Sequence, residues 1–98
     1  MSDADEPDDE WVERAKGGDC DAFGLLYERH ARAAYLLASG TLKDAGEAAD
    51  AVQTTFEKAL KGLPGYRGES KFRTWLLHIC KNTCLDQIRK TTKGGEPR

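Results

Sequence analysis

Apolar residues recur at steps of three and four along four separate stretches of this chain, and this spacing constrains the fold more than any other feature. Such steps place side chains on one stripe of an α-helix, whereas a strand would alternate apolar and polar residues. The clearest stripe comprises Phe23, Leu26, Tyr27, His30, Ala34 and Leu37. No stretch shows sustained strand alternation. The chain is therefore predicted to be all-α, a compact bundle of about four helices.

The other three stretches carry apolar sets of their own. The first is short, with Trp11, Val12 and Ala15, and needs neighbours in order to be stable. The third contains Ala49, Val52, Phe56, Ala59 and Leu60, and the fourth contains Phe72, Leu76, Ile79, Cys80 and Thr83. The centre of the core is predicted to be formed by Phe23, Leu26, Val52, Phe56, Leu76 and Ile79.

Capping residues and glycines mark the ends of the predicted helices. The pair Asp8-Asp9 precedes the first helix, Asp19 the second and Ser70 the fourth, while Asp44 with Glu47 has the capping-box spacing before the third. Glycines end the first helix at 17–18 and the third at 62, and Gly40 weakens the end of the second. The Gly- and Pro-rich segment LPGYRGES at 63–70 is predicted to be a loop.

The length of 98 residues allows one domain with a small core. The acidic residues 1–8 are predicted to be a disordered tail, residues 9–90 the helical domain, and residues 91–98 the flexible start of a linker. The N-terminus lacks the features of a signal peptide, and no apolar run approaches the roughly 20 residues that span a bilayer. We therefore expect a cytoplasmic protein that does not contact a membrane.

The net charge of −2 conceals two parts of opposite sign. Residues 1–57 hold five Lys or Arg and fourteen Asp or Glu, a balance of −9, whereas residues 58–98 hold ten and three, a balance of +7. The acidic part suits a basic protein partner, and the basic part suits phosphates. Two solvated faces that only keep the protein soluble would give the same balance, so charge alone leaves both explanations open.

The three cysteines, Cys20, Cys80 and Cys84, fit apolar packing in a reducing compartment better than a disulfide framework. Cys80 and Cys84 are one helical turn apart, but His78 projects from a different side, so these three do not converge on a metal ion. We expect no metal site and no cofactor. His30 is predicted to be a hydrogen-bonded core or boundary residue. A small helical hydrolase has little support, because no acid–base pair, nucleophile constellation or phosphate-cradling motif is visible.

Two motifs carry a family resemblance. One is Asp50-x-x-Gln53-x-x-Phe56 with Ala59, and the other is Gly68-Glu69-Ser70 followed by Phe72-Arg73-Thr74-Trp75-Leu76. With the string DAFGLLYERHARAAYLLA at 21–38, they resemble region two, the first conserved domain, of the extracytoplasmic-function (ECF) sigma factors of bacterial RNA polymerase. The resemblance covers residues 10–90 without an internal gap. It departs at Thr54, where the family often has an acidic residue, and at Cys80 and Cys84, where small residues are common.

The resemblance implies a transcription initiation module and not an enzyme. Region two of this family binds core RNA polymerase and recognises and helps melt the promoter −10 element. The family's second domain, a helix-turn-helix that reads the −35 element, is missing, which implies either a fragment that ends in the linker or an unusually short member. Family members are commonly held by an anti-sigma factor, so such a partner is expected. The alternative function is a protein-interaction module that serves mainly as the target of an anti-sigma regulator.

Four polar residues share one face of the third predicted helix, namely Asp50, Gln53, Thr54 and Glu57. By the resemblance, this face docks on the clamp helices of the polymerase's largest subunit. Carboxylates and an amide suit that role, because they pair with arginines in a partly desolvated contact. An ordinary solvated face is the alternative.

By the resemblance, the loop before the fourth helix helps to hold one flipped base of the non-template strand of the −10 element. Tyr66 offers an aromatic ring and Arg67 a cation. Two alternatives stay open for the aromatic residues. Tyr66 either stacks on a base or anchors the loop to the core, and Trp75 is either a wedge at the point of strand separation or a core residue.

The fourth helix supplies further DNA-binding candidates, which are Lys71, Arg73, His78, Lys81, Asn82, Asp86 and Arg89. Asn82 is predicted to recognise a base, since amides read base edges. Phosphate contacts are assigned to Lys71, Arg73, Lys81 and Arg89. Asp86 has two possible roles, either to orient a neighbouring basic residue or to accept a hydrogen bond from a cytosine amine.

Overall fold

The computed structural model describes residues 8–95, and the side chains of residues 8–90. Four α-helices follow one another in this range, α1 (Asp9–Lys16), α2 (Cys20–Leu42), α3 (Ala45–Gly62) and α4 (Phe72–Gly95). A 3₁₀ turn (Leu63–Gly65) follows α3, and residues 66–71 form the loop that leads into α4. No strand lies between residues 8 and 95, so the all-α prediction is confirmed. No candidate membrane-spanning helix is found between residues 8 and 95.

The predicted caps of the two central helices are present. The Asp19 carboxylate accepts hydrogen bonds from the backbone N–H groups of Asp21 and Ala22 at 3.0 and 3.2 Å. These bonds hold the pKa of Asp19 below its usual value, and Arg14 adds to that shift. The Asp44 carboxylate accepts from the N–H of Glu47 at 2.8 Å. In both places a side chain satisfies backbone donors that an α-helix leaves unpaired at its start.

The three long helices α2, α3 and α4 pack against one another, and α1 packs on α2. Large apolar residues from each long helix are buried in the core, as predicted for Leu26, Val52, Phe56 and Leu76, whereas Phe23 and Ile79 are only partly buried. Alanines fill the contacts between helices, and six of them have no exposed surface: Ala22, Ala34, Ala38, Ala48, Ala51 and Ala59. Small side chains let the helix backbones approach closely, so these positions leave little room for larger residues.

The burial predicted for three residues of the apolar stripes is wrong. Ala49 is exposed, and 45 and 52% of the surface of Tyr27 and Leu60 remains exposed. Tyr27 and Leu60 both line a groove between α2 and α3, so they lie at the edge of the contact between the two helices. The apolar stripe read from the sequence is therefore wider than the buried one.

The start of α1 differs from the prediction, because Asp8 is neither part of a disordered tail nor a side-chain cap of the helix. Its carboxylate pairs with Arg29 Nη1 at 2.7 Å and lies 2.8 Å from His30 Nε2, both on α2. Arg29 in turn lies over the ring of Trp11, 4.3 Å from its centroid. Asp8 therefore fastens α1 to α2. The remaining residues of the predicted tail, 1–7, lie outside the described range.

Helix α4 begins and extends differently from the prediction. Its first residue is Phe72, so Lys71 and not Ser70 occupies the N-cap position, and the Lys71 carbonyl accepts from Trp75 N–H at 3.0 Å. At the other end α4 continues to Gly95, five residues into the segment predicted to be a linker. Residues 96–98 of that segment lie outside the described range. Gly40 lies in the last turn of α2, which ends two residues later at Leu42.

Candidate nucleic-acid interface

One side of α4 presents a row of exposed polar side chains. Lys71, at the N-cap, is followed at steps of three and four by Trp75, His78 and Asn82, and Arg89 lies seven residues, two helical turns, further along the same side of the helix. Four of these five residues are exposed, and Trp75 is partly buried. Lys81 is exposed beside this row. The structure thus brings six of the predicted DNA-binding residues onto one continuous surface, which we call the α4 row.

Arg73 does not join the α4 row. It is partly buried, its Nε is inaccessible, and no hydrogen-bond partner for that Nε lies among the described residues. Its charge instead acts on His30, which lies across the helix interface with 2% of its surface exposed. The role of Arg73 as a phosphate contact stays a prediction, and its position on the packed side of α4 gives that role no support.

His30 is a buried, hydrogen-bonded histidine, as the sequence predicts. Because a carboxylate only accepts hydrogen bonds, the contact with Asp8 places a proton on Nε2. The ring packs on Phe72 with centroids 5.4 Å apart, and its Nδ1 is buried with no partner among the described residues. Burial lowers the pKa of His30 below 6.5, the charges of Arg73 and Arg29 act in the same direction, and Asp8 opposes the shift. Burial therefore favours the neutral form of the ring.

Tyr66, at the start of the 66–71 loop, faces the protein. Its ring lies 4.9 Å from the ring of Trp75 and 6.0 Å from that of Phe72, and its hydroxyl donates to the carbonyl of Ser70. Burial raises the pKa of Tyr66 above 10.0, and the charges of Asp9 and Asp8 add to the shift. Of the two roles left open by the sequence, these contacts favour the anchor. Trp75 shares the cluster and also packs beside Gly62, which favours a packing role for it too.

The rest of the loop is open to solvent. Arg67 and Glu69 are exposed, and Gly68 between them has φ +77, a left-handed conformation that glycine adopts without strain. The walls of a small cavity of about 70 Å³ include Arg67 and Ser70 of the loop, Gly65 of the preceding 3₁₀ turn and Trp75. The loop therefore places backbone groups and the exposed guanidinium of Arg67 next to the start of the α4 row.

A groove of about 400 Å³ lies between α3 and α4, next to the α4 row. Asp86 is placed there between two cations, at 3.2 Å from Arg89 Nη1 and 3.7 Å from Lys58 Nζ. Lys58 also donates to the hydroxyl of Thr83 at 3.2 Å. These contacts favour the orienting role of Asp86. Sequence reasoning missed Lys58, because its role depends on a contact with a residue of another helix. The one available signal was its spacing of four from Thr54, which places both residues on the side of α3 that lines the groove.

The predicted docking face of α3 is an exposed ridge between two grooves. Asp50, Gln53 and Glu57 are exposed, and Thr54 is partly buried. Gln53 and Glu57 line a groove of about 320 Å³ between α2 and α3, together with Tyr27 and Leu60, whereas Thr54 lines the groove between α3 and α4. The four predicted residues therefore share one ridge, but Thr54 turns to the side that faces the α4 row.

Two of the three cysteines are packed in the interior, as the sequence predicts. Cys80 and Cys84 are fully buried, and the Cys80 thiol donates to the carbonyl of Ala34 at 3.5 Å. Burial, together with the neighbouring Cys80, raises the pKa of Cys84 to about 11, so its thiol is unreactive at neutral pH. Cys20 is exposed as the first residue of α2, so the packing prediction was wrong for it. Among the described residues no group of three or more His, Cys, Asp or Glu side chains is placed to hold a metal ion.

Comparisons with known proteins agree with this architecture. A family model described as Sigma-70 region 2 matches residues 26–94. The RNA polymerase sigma-H factor of Pseudomonas aeruginosa is 39% identical over 92 residues, which make up 94% of this chain and 47% of that protein. The ECF RNA polymerase sigma-E factor of Escherichia coli K12 is 41% identical over 86 residues, 88% of this chain and 44% of that protein. The chain spans about half the length of these curated relatives.

A solved structure is similar over the whole fold. It is an NMR structure of the complex formed by an engineered region 2 of sigmaE with GTAAAA. The TM-score is 0.86 and the sequence identity 33%, and the match covers 99% of this chain and 100% of that one. The similarity therefore includes α1 and the 66–71 loop as well as the three long helices.

Proposed function

The chain belongs to the sigma-70 region 2 family as an ECF-type domain, and from this membership we propose that it binds core RNA polymerase and recognises and helps to melt the promoter −10 element. Its relatives are transcription factors, so the proposed role is non-enzymatic and belongs to the bacterial cytoplasm. The wider activity of a whole sigma factor, including a linker after α4 and a domain that reads the −35 element, is proposed only by analogy with relatives twice as long.

The observation that carries the proposal is the similarity to a region 2 domain in complex with GTAAAA, combined with the α4 row. A promoter base leaves the stack at a cost of a few kcal/mol, which a protein offsets by base-edge hydrogen bonds, stacking and phosphate neutralisation. The exposed amide of Asn82 lies between the exposed cations of the row, at the distance of about one helical turn from His78 and Asp86. This arrangement suits recognition of one base edge by Asn82 and contacts of the neighbouring cations with phosphates.

In this proposal the loop and the α4 row divide the work. Arg67 and the backbone around Gly65 and Gly68 hold a base that has left the stack, while Tyr66 keeps the loop in place from inside. Asn82 reads a base edge, and Lys71, Lys81 and Arg89 contact phosphates. Asp86 orients Arg89 and Lys58, and His78 lines the same surface.

The DNA part is tested by fluorescence anisotropy with labelled single-stranded oligonucleotides that contain GTAAAA or single-base variants of it. Lys81→Ala is expected to weaken binding evenly across sequences and to reduce the salt dependence by about one contact. Asn82→Ala is expected to change the preference among sequences. Lys43→Ala, which removes an exposed lysine at the end of α2, is the matched control. Equal weakening of all oligonucleotides by the Lys81 and Asn82 variants would contradict the division of roles.

The polymerase part rests on the exposed ridge of α3. We propose that Asp50 and Gln53, with Thr54 and Glu57 at its edges, dock on the clamp helices of the largest subunit through arginine pairs. Asp50→Ala and Gln53→Ala are expected to retain less core polymerase in a pull-down than the unchanged protein. Asp21→Ala, which removes an exposed carboxylate from α2, serves as the control. Undiminished retention by both ridge variants would remove the claim.

A second candidate function, the target of an anti-sigma factor, is favoured by the groove between α2 and α3. Tyr27 and Leu60 are exposed there beside Gln53 and Glu57, so an apolar strip adjoins the proposed polymerase ridge. An inhibitor that covers the strip would also block the ridge. In a competition experiment, such an inhibitor is expected to displace core polymerase. The Leu60→Ser substitution is expected to weaken binding of the inhibitor more than Asp21→Ala does. An inhibitor that binds without displacing polymerase would argue against this arrangement.

A further inference from the structure

The 66–71 loop is joined to α1 by one long-range hydrogen bond. Lys16, the last residue of α1, donates from Nζ to the backbone carbonyl of Tyr66 at 2.8 Å, across 50 residues of sequence. On the other side of the loop, the Tyr66 hydroxyl donates to the carbonyl of Ser70. Arg67, Gly68 and Glu69, which carry the exposed part of the loop, therefore lie between two fixed backbone points.

Helix α1 is a firm support for this bond. Its inner face is buried through Val12 and Ala15, and its first turn is fastened to α2 by Asp8. Lys16 is only partly exposed, in contrast to a free surface lysine whose side chain samples many rotamers. The Lys16 ammonium therefore reaches the loop from a helix that is itself held at its first turn and along its inner face.

The surroundings of Lys16 argue against direct contact with DNA. The groove of about 350 Å³ between α1 and the loop is lined by Asp9 and Glu13 as well as by Lys16 and Arg67. Two carboxylates on that wall repel a phosphate chain, and one of the three hydrogens of the ammonium is already directed at a backbone carbonyl. Lys16 is thus arranged to act on the loop and not on phosphates.

We propose that Lys16 is a positioning residue for base recognition. It fixes the Tyr66 carbonyl, and through it the exposed residues 67–69, so that the loop is preorganised before a base arrives. This inference rests on the proposed DNA-binding function. It assigns α1 to the DNA-recognition module, although no residue of α1 lies on the α4 row.

The test compares Lys16→Met with Lys16→Arg, and uses Lys43→Met as a control that loses the same charge elsewhere. In the free protein, Lys16→Met is expected to shift the amide resonances of Arg67 and Gly68 and to speed their hydrogen exchange, with Lys16→Arg close to the unchanged protein. In anisotropy titrations with GTAAAA-containing single strands and single-base variants, Lys16→Met is expected to lower the preference for the best base roughly tenfold, about the loss of one charged hydrogen bond. The slope of affinity against salt is expected to stay the same, and Lys16→Arg to restore most of the preference.

Three results would overturn the inference. One is an unchanged loop spectrum in Lys16→Met. Another is an unchanged preference among the oligonucleotides. The third is an even loss of affinity with a salt slope reduced by about one contact, which is the behaviour of a phosphate ligand. If the unchanged protein shows no preference among the oligonucleotides, the proposed function fails instead, and the loop spectrum of the free protein still reports whether Lys16 holds the loop.

Discussion

Replacing Asp8 by alanine is expected to destabilise the fold by about 3 kcal/mol. The carboxylate has two partners on α2, and only 2% of His30 and 12% of the Arg29 side chain are exposed. Loss of the acceptor leaves the His30 Nε2–H unsatisfied, at a cost of about 1–3 kcal/mol. Because Arg29 keeps its contact with the Trp11 ring, the combined loss at His30 and Arg29 is expected at the lower end of the about 3–5 kcal/mol that breaking a nearly buried charge pair costs.

A domain of this size unfolds about 4–8 °C lower for each kcal/mol lost at the midpoint, so Asp8→Ala is expected to lower Tm by about 12 °C or more. Circular dichroism at 222 nm follows the loss of helix, and urea titration gives the free energy of unfolding. Asp9→Ala is the matched control, since the neighbouring exposed carboxylate favours the same helix end by only about 0.3–1 kcal/mol. If the two variants lose similar stability, Asp8 does not fasten α1 to α2. A double-mutant cycle with Arg29→Met would measure how much of the loss belongs to that pair.

Three further outcomes are expected. The pKa of His30 is lower in the folded state than the 6.5 of the unfolded state, so below pH 6.5 the unfolded state binds more protons than the folded state. The free energy of unfolding is therefore highest above pH 6.5 and decreases as the pH falls toward the folded-state pKa. His30→Gln should flatten this dependence in urea titrations at pH 5 to 7.5, and a slope that instead disappears with the exposed His78→Gln would refute the assignment. The difference in tyrosinate absorbance between the unchanged protein and Tyr66→Phe reports ionisation of the Tyr66 hydroxyl, and it is expected to appear above pH 10.0. Ionisation at or below pH 10.0 would mean that the Tyr66 ring is not packed on Trp75. Ala34→Leu is expected to cost about 1–3 kcal/mol through overpacking, so unchanged stability would show that α2 and α4 are not in close contact there.

The features that were predictable from the sequence are those set by neighbours along the chain. Asp19 and Asp44 cap the helices that follow them, because a cap needs only the two or three backbone N–H groups next in sequence. The large buried residues followed from the helical period for a similar reason. Alanine gives a weaker signal, since it is common on both buried and exposed helix faces. The predicted apolar stripe of the third helix therefore includes the exposed Ala49 and omits the buried Ala51.

The features that escaped sequence reasoning join residues that are far apart in the chain. Asp8 was interpreted as a local cap, but its partners lie 21 and 22 residues away on α2. The bond from Lys16 to Tyr66 spans 50 residues, and that from Lys58 to Thr83 spans 25. Each depends on which helix faces come together, and periodicity predicts that a face is buried without saying which face it meets. The row of candidates on α4 was predictable for the opposite reason, since one helix presents all of it.

The division of the chain into an acidic and a basic part does not coincide with a division into a polymerase side and a DNA side. Several carboxylates of the acidic part serve the fold, because Asp8 fastens α1 and Asp19 and Asp44 cap helices. What remains for a partner on α3 is the short exposed ridge around Asp50. Conversely, Lys16 belongs to the acidic part of the sequence but holds the loop that adjoins the α4 row. The loop is therefore a point where the two parts meet, and a substitution in α1 is expected to affect base recognition without altering the charge of the surface that binds DNA.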